Sequence, residues 1–265
     1  MDRTGNQRYH IFYLDYQRYR PATAGLQSSL KPLRSTASDF LPPIDYRTRG
    51  KVTPAKNQGQ CGSCWTFSTV AAYESQLLIH EQMEADLSEQ FVLDCTTTEG
   101  SCGGGIPYYA LNNISSTGIP FESSIPYTAN EGPTSECSKT KYKMSNPILS
   151  INHYDNLTNG ELKQFLTDHG PIPVGIHASD VSLSEYESGI YNGCTSSAVD
   201  HAVLLVGFTS EGHWIIKNSW GEQWGDSGYV IISKDNNCGI LTYVDVVSVQ
   251  AGSTTNYDSQ EVINN

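Results

Sequence analysis

The sequence is short of positive charge. Lys and Arg together number 16 against 28 Asp and Glu, and the net charge is −12. No basic face can collect from so few cations, which excludes nucleic acid as a partner. Long apolar runs are missing too. The best stretches, "AVLLVGF" and "GYVII", are strand-sized and fall far below the roughly 18 residues of a membrane-spanning helix. No membrane association is therefore expected. The opening stretch "MDRTGNQRYHIFYLDYQRYRP" carries no apolar segment of the signal-peptide kind.

What is present points to a folded domain rich in loops and strands. The chain has 265 residues, 38 % of them hydrophobic and 10 % aromatic. That suffices for one large domain or a compact two-lobed unit. Gly (23) and Tyr (16) are abundant, which suits a half-β protein better than a helical bundle. The 7 cysteines make three bridges with one thiol left over. Together with the triplets Asn113-Ile114-Ser115 and Asn156-Leu157-Thr158, they fit a secretory route.

The chain changes style near its middle. Pro42-Pro43 starts an extended segment. "WTFSTVAAYESQLLIH" has no Gly or Pro and predicts a mostly buried helix from 65 to about 80. Ser88 is an N-cap type residue before "EQFVLDC", and "SCGGGIPYYALNNI" reads as a glycine turn feeding a short helix. In "TNGELKQFLTDHGP" the spacing of Thr158 and Glu161 is that of a capping box. Gly170 fits the C-terminal cap and Pro171 prevents continuation. Strand-like runs follow: "PIPVGI", "GIYNG", "HAVLLVGF", "HWIIKNSW" and "GYVIIS". Helices first and strands second predict an α+β fold with two lobes.

Cys61 and Cys64 form a C-x-x-C, for which three chemistries compete. A zinc site needs a second close pair of ligands, and none follows. A dithiol redox centre needs a preceding central strand, and "KVTPAKNQGQ" makes a poor one. A nucleophile at a helix N-terminus fits better, because the helix end favours the thiolate. Such a nucleophile needs a base from elsewhere in the chain. His10, His80, His153 and His169 lie in polar surroundings and read as surface residues. His201 differs, since it opens the apolar run "HAVLLVGF" directly after Asp200. Asn218, before Ser219-Trp220-Gly221, is the candidate that fixes the ring's tautomer and orientation.

The series "QGQCGSCWTFS", "LSEQFVLDC", "SCGGG", "VDHAVLLVGF" and "WIIKNSWGEQWGDSGY" resembles, in order, the motifs of the papain-like cysteine peptidases. The resemblance covers roughly residues 41–250. Without a His-rich insertion after Cys102, the chain is more similar to the cathepsin L type than to the cathepsin B type. Gly103 and Tyr46 depart from the usual Asn and Trp.

The resemblance implies a two-lobed papain-like fold, with a helical lobe over about 45–150, an antiparallel β-barrel-like lobe over about 151–245, and the active-site cleft between them. Residues 1–40 are then a leader or remnant proregion and 251–265 a polar disordered tail. It implies catalysis by Cys64, His201, Asn218 and Gln58, with Gln58 and the Cys64 backbone N–H as oxyanion donors. It implies the disulfides Cys61–Cys102, Cys95–Cys137 and Cys194–Cys238. Gly104 and Gly105 would pair with an extended substrate, and Trp220 and Trp224 would border the site. The main selectivity pocket, for the residue two before the scissile bond, would have Ile106, Pro107, Gly175, Val199 and Ala202 as walls, Gly175 opening one of them. Tyr243 would form its floor. No metal or other cofactor is implied. The expected partners are protein and peptide substrates and protein inhibitors of cysteine peptidases. The expected state is a monomer, and the expected location is lysosomal, vacuolar or secreted.

The domain is expected to begin near Leu41, leaving residues 1–40 removable. A variant starting at Phe40 should fold as the full chain does, by circular dichroism and thermal melting. Failure of that variant alone would make residues 1–40 a folding element.

Overall fold

The computed structural model of the chain describes residues 41–96, 100–115, 118–128, 137 and 150–248. The leader expected at 1–40 and the tail expected at 251–265 lie outside the described residues.

The predicted first helix is α1 (Cys64–His80), and every residue from Cys64 to Leu77 is buried. A helix with no solvent face sits at the centre of a domain rather than on its surface. Around it pack α2 (Glu89–Cys95) and α3 (Pro107–Ile114). Ser88 caps α2 as expected, its hydroxyl accepting from Phe91 N at 3.0 Å. Pro107 occupies the first turn of α3, where its missing N–H costs nothing. The glycine turn before α3 is a two-stranded ribbon of β2 (Gly100–Ser101) and β3 (Gly104–Gly105). Trp65 lies against it: a Cβ on Gly105 would come within 2.6 Å of the indole.

The later half supplies most of an eight-stranded sheet. In chain order its elements are β4 (Ser150–Tyr154), α4 (Asn159–His169), β5 (Ile172–Ile176), α5 (Val181–Ser184), β6 (Ile190–Tyr191), β7 (His201–Phe208), β8 (Trp214–Lys217), β9 (Tyr229–Ile232) and β10 (Val244–Ser248). The order across the sheet is β4-β10-β5-β7-β8-β9-β6. The capping box of α4 is present, and Gly170 ends that helix with φ 88°.

Two features of the sheet lie outside its run of later, antiparallel strands. Ile44–Asp45 (β1) pairs with Phe208 and Gly207 at the end of β7, so the earliest described strand belongs to the sheet rather than to the helical lobe. And β6 runs parallel to β9, whereas the other pairings among the described residues are antiparallel.

Two large apolar cores correspond to the two lobes. One gathers Leu162, Leu166, Val174, Val203, Trp214 and Ile232 beneath the sheet. The other surrounds Trp65, Leu87, Phe91, Leu111 and Ile114 in the helical part. A smaller cluster of Ala71 and Ala72 with Leu204, Val206 and Ile215 joins α1 to β7 and β8.

Beside that seam lies a buried group of charges. Glu74, on α1, accepts from Thr53 Oγ1, from Leu87 N at 2.9 Å and from Lys56 Nζ at 3.2 Å. Lys217, at the end of β8, donates to Thr53 Oγ1 at 2.9 Å. Lys56 also meets Glu89 and Asp86. Burial pushes the Lys217 amine down to about 8 and the Glu89 carboxyl up to about 8. Burial also opposes the charge on Lys56, yet the Glu89 and Glu74 carboxylates outweigh it and raise its pKa.

Removing one partner of such a buried group strands the others. Glu74→Ala is therefore expected to lose about 3–5 kcal/mol in urea denaturation. A loss below about 1 kcal/mol, the level of an exposed ion pair, would contradict this account.

Candidate active site

Cys64 is the first residue of α1 and the free cysteine of the chain. Ser63, in the capping position, makes no side-chain cap. Its hydroxyl is 2.6 Å from the Tyr127 hydroxyl instead. The helix thus starts without a cap from the Ser63 side chain on its first N–H groups. Cys61 is bonded to Cys102, and Gly62 N donates to Cys102 O at 2.9 Å. The bridge removes Cys61 from any dithiol or metal set with Cys64. The other implied pairs, Cys95–Cys137 and Cys194–Cys238, are also bridged.

The sheet delivers the second set of groups. His201 opens β7, and the next residue donates its N–H to Cys64 Sγ, 3.5 Å from Ala202 N. His201 Nε2 is 2.8 Å from Asn218 Oδ1. That oxygen also accepts from Ser219 N at 2.8 Å, which identifies it as the carbonyl end of the amide. Nε2 must then carry a proton, which leaves Nδ1 as the unprotonated atom of the neutral ring. Trp220 covers the ring, with centroids 5.0 Å apart and planes at 31°. Trp224 stands edge-on behind Trp220, its Nε1 donating to Leu183 O. Both indoles are buried.

Gln58 is held from several directions. Its Nε2 donates to Cys61 O at 3.0 Å, and its Oε1 accepts from Ser219 Oγ at 2.6 Å. One amide N–H remains for a ligand. The Gln58 backbone N–H donates to Ser219 O at 2.9 Å, and Tyr127 donates to Gln58 O at 2.8 Å. Ser219 therefore touches both the Asn218 and the Gln58 side chains. Sequence reasoning passed over Ser219 and Tyr127. Ser219 had a signal in its place next to Asn218; Tyr127 had none.

The electrostatics differ from the simple expectation. A helix N-terminus favours a thiolate, but Cys64 is only 1 % exposed. Burial wins over the N–H groups of Ala202 and Trp65 and pushes the thiol up to about 11. Burial also lowers the His201 pKa, against the opposing hydrogen bond to Asn218.

The expected pocket residues fall together. Ile106, Ala202 and Tyr243 belong to one buried cluster, with Val199 packed on it. Pro107 follows Ile106, and Gly175 pairs with Ala202 across β5 and β7. Gly175 does not open a wall. A Cβ there would meet Val199 Cβ at 3.1 Å and Tyr243 Cβ at 3.2 Å, so those side chains already fill the space. Gly104 and Gly105 are buried, and the close indole of Trp65 accounts for Gly105 being glycine. One histidine was misread: His153 belongs to β4 and meets the buried carboxylate of Asp245 at 2.8 Å. Its polar neighbours in the sequence concealed a partner that lies on β10.

Comparison with known proteins gives the family. The family model described as papain family cysteine protease matches residues 42–248. Digestive cysteine proteinase 2 of Homarus americanus is 40 % identical over 212 residues, covering 75 % of this chain and 64 % of that protein. Procathepsin L of Mus musculus is 39 % identical over 215 residues, covering 75 % and 63 %. The chain thus spans slightly under two thirds of the length of these relatives. The crystal structure of the Carica candamarcensis cysteine protease CMS1MS2 in complex with E-64 superposes with a TM-score of 0.73 at 33 % identity, covering 80 % of this chain and 100 % of that one. A cysteine at a helix head, a histidine opening a strand and an asparagine on its ring are thus found within the matched region, and this chain belongs to the papain family of cysteine proteases.

Proposed function

We propose that the chain is a cysteine endopeptidase that hydrolyses peptide bonds through a thioester acyl-enzyme. One observation carries the reading: Ala202 N meets Cys64 Sγ at 3.5 Å, while the adjacent His201 is bonded to Asn218 at 2.8 Å. A nucleophile, a base and the group that orients the base thus stand in sequence.

Burial disfavours a lone charge on either Cys64 or His201. Transfer of the thiol proton to Nδ1 creates two charges that serve as each other's counter-ion, with Ala202 N and Asn218 Oδ1 supporting the sulfur and the ring. The thiolate attacks the peptide carbonyl carbon and its oxygen becomes an anion. The free N–H of Gln58 Nε2 and the Cys64 backbone N–H are the donors for it. His201 returns its proton to the leaving amine as the C–N bond breaks. Water then adds to the thioester, giving up a proton to His201, and the restored thiol departs from the carboxylic acid.

The apolar group of Ile106, Pro107, Val199, Ala202 and Tyr243 supports a pocket for the side chain two before the scissile bond. Val or Leu should gain there by burial. Arg would lose its hydration with no carboxylate in reach. Phe should be disfavoured by the Tyr243 ring. Three bridges support an oxidising compartment, lysosomal, vacuolar or secreted. Protein and peptide substrates, and protein inhibitors of cysteine peptidases, are the partners this reading implies, with the enzyme acting as a monomer.

A thiol-directed peptidyl epoxide should label Cys64 stoichiometrically and abolish peptide hydrolysis, read by mass mapping and a fluorogenic peptide. Cys64→Ala should bring hydrolysis to background with the fold intact. His201→Ala should be similarly severe, because nucleophile and base act as a unit. Asn218→Ala should be milder, and Gln58→Ala should lower kcat about 10²–10³-fold. Measurable hydrolysis by Cys64→Ala sinks the assignment.

The rate should follow a bell in pH, since one shared proton is needed on the Cys64–His201 pair. The Asn218 hydrogen bond raises the His201 pKa. Its removal makes the imidazolium give up its proton more readily, so the alkaline limb of kcat/KM in Asn218→Ala should move to lower pH. An unmoved limb would leave Asn218 with an orienting role alone.

A further inference from the structure

Behind the apolar pocket stands a polar group that the proposed reaction does not use. Tyr243 and Asp245 share one face of the chain entering β10, as alternate residues of an extended segment do. The register sets His153 of β4 directly opposite Asp245. The Tyr243 hydroxyl donates to Asp245 Oδ2 at 2.6 Å and accepts from Tyr108 N at 3.3 Å. Asp245 Oδ1 is 2.8 Å from His153 Nδ1, and His153 Nε2 is 3.2 Å from Asp155 Oδ1. The His153 and Tyr243 rings lie 4.6 Å apart. The Asp245 side chain is wholly buried.

A phenol has one proton to give, and here it is given to a buried carboxylate. A buried carboxylate is costly without donors, and Tyr243 and His153 supply them. The Tyr108 N–H also serves this carboxylate, but swinging Tyr243 out would take away the short bond from the phenol. The ring is therefore held inward by its far end, within the buried cluster that includes Ile106 and Ala202 and has Val199 packed on it.

We propose that Asp245 and His153 are positioning residues for substrate selection, anchoring Tyr243 as a fixed floor of the pocket and standing as a masked acidic group behind it. The inference rests on the reading of this pocket as the site for the side chain two before the scissile bond. Such a floor admits Val or Leu. Phe must displace a ring that is bonded at its far end. Arg meets an aromatic face, with the carboxylate that suits it out of reach behind.

The test is a set of peptide substrates with Leu, Phe or Arg at that position. Active enzyme is counted by titration with a peptidyl epoxide, so that loss of folded protein does not enter the rates. Wild type should prefer Leu to Phe, and both to Arg. Tyr243→Phe, which loses only the hydroxyl, and Asp245→Asn should each lower the Leu-to-Phe ratio of kcat/KM about tenfold, chiefly through KM for the Phe substrate. His153→Gln should change the ratio in the same direction. Tyr243→Ala should gain cleavage after Arg at that position, and Tyr243→Ala with Asp245→Asn should lose the gain. A wild type that does not discriminate among the three overturns the pocket reading and this inference with it. A discriminating wild type whose ratio is unchanged in Tyr243→Phe and Asp245→Asn overturns the inference alone. So does Tyr243→Ala that cleaves after Arg no better than wild type.

Discussion

The buried carboxylate of Glu74 is the constraint on which the arrangement of the site depends. It draws together Thr53, Lys56, Leu87 N and, through Thr53, Lys217. These groups come from the segment before α1, from α1 itself, from the approach to α2 and from the end of β8. An apolar contact tolerates sliding; a set of buried charges does not, because each displaced donor leaves a charge without compensation. Lys217 is followed at once by Asn218. The position of the group that orients His201 is thus tied to the same carboxylate that fixes α1, whose first residue is Cys64. The spacing of Cys64 and His201 is set by electrostatics below them as well as by apolar packing.

That arrangement reconciles two demands that pull apart. A thiol and an imidazole buried so completely resist ionisation one at a time, yet the acyl transfer proposed for them needs a nucleophilic sulfur. The answer lies in the pairing. The Ala202 and Trp65 N–H groups favour the thiolate, and Asn218 Oδ1 favours the imidazolium. Burial raises the cost of each separate charge and at the same time strengthens the attraction between them.

Much of this was legible in the sequence. Cys64, His201 and Asn218 are conspicuous because their chemistry is unusual in their settings: a thiol at a helix head, a ring heading an apolar strand, an amide between two strand-like runs; Gln58 stood out only through the family resemblance. The helix α4 announced itself by its capping box, since caps are local and use few residue types. What escaped was non-local. The strands β4 and β10, with the sequences "SINHY" and "VDVVS", carry the polar residues His153 and Asp245, which pair across 92 positions of chain. Strand β1 gains its status only from Phe208 and Gly207, far along the chain. Gly175 illustrates a further limit. A missing side chain suggests open space, but neighbours moved into it, and only three-dimensional packing tells which has happened.

Ser219 joins two amides in one residue. Its N–H holds the Asn218 amide that meets His201, and its hydroxyl holds the Gln58 amide. The two amides share a hinge pin. Gln58 and Asn218 lie on segments far apart in the chain, yet neither can drift in evolution without the other registering the change. Substitutions around them should accumulate in correlated pairs rather than singly, a coupling that runs through the N–H and the hydroxyl of one serine.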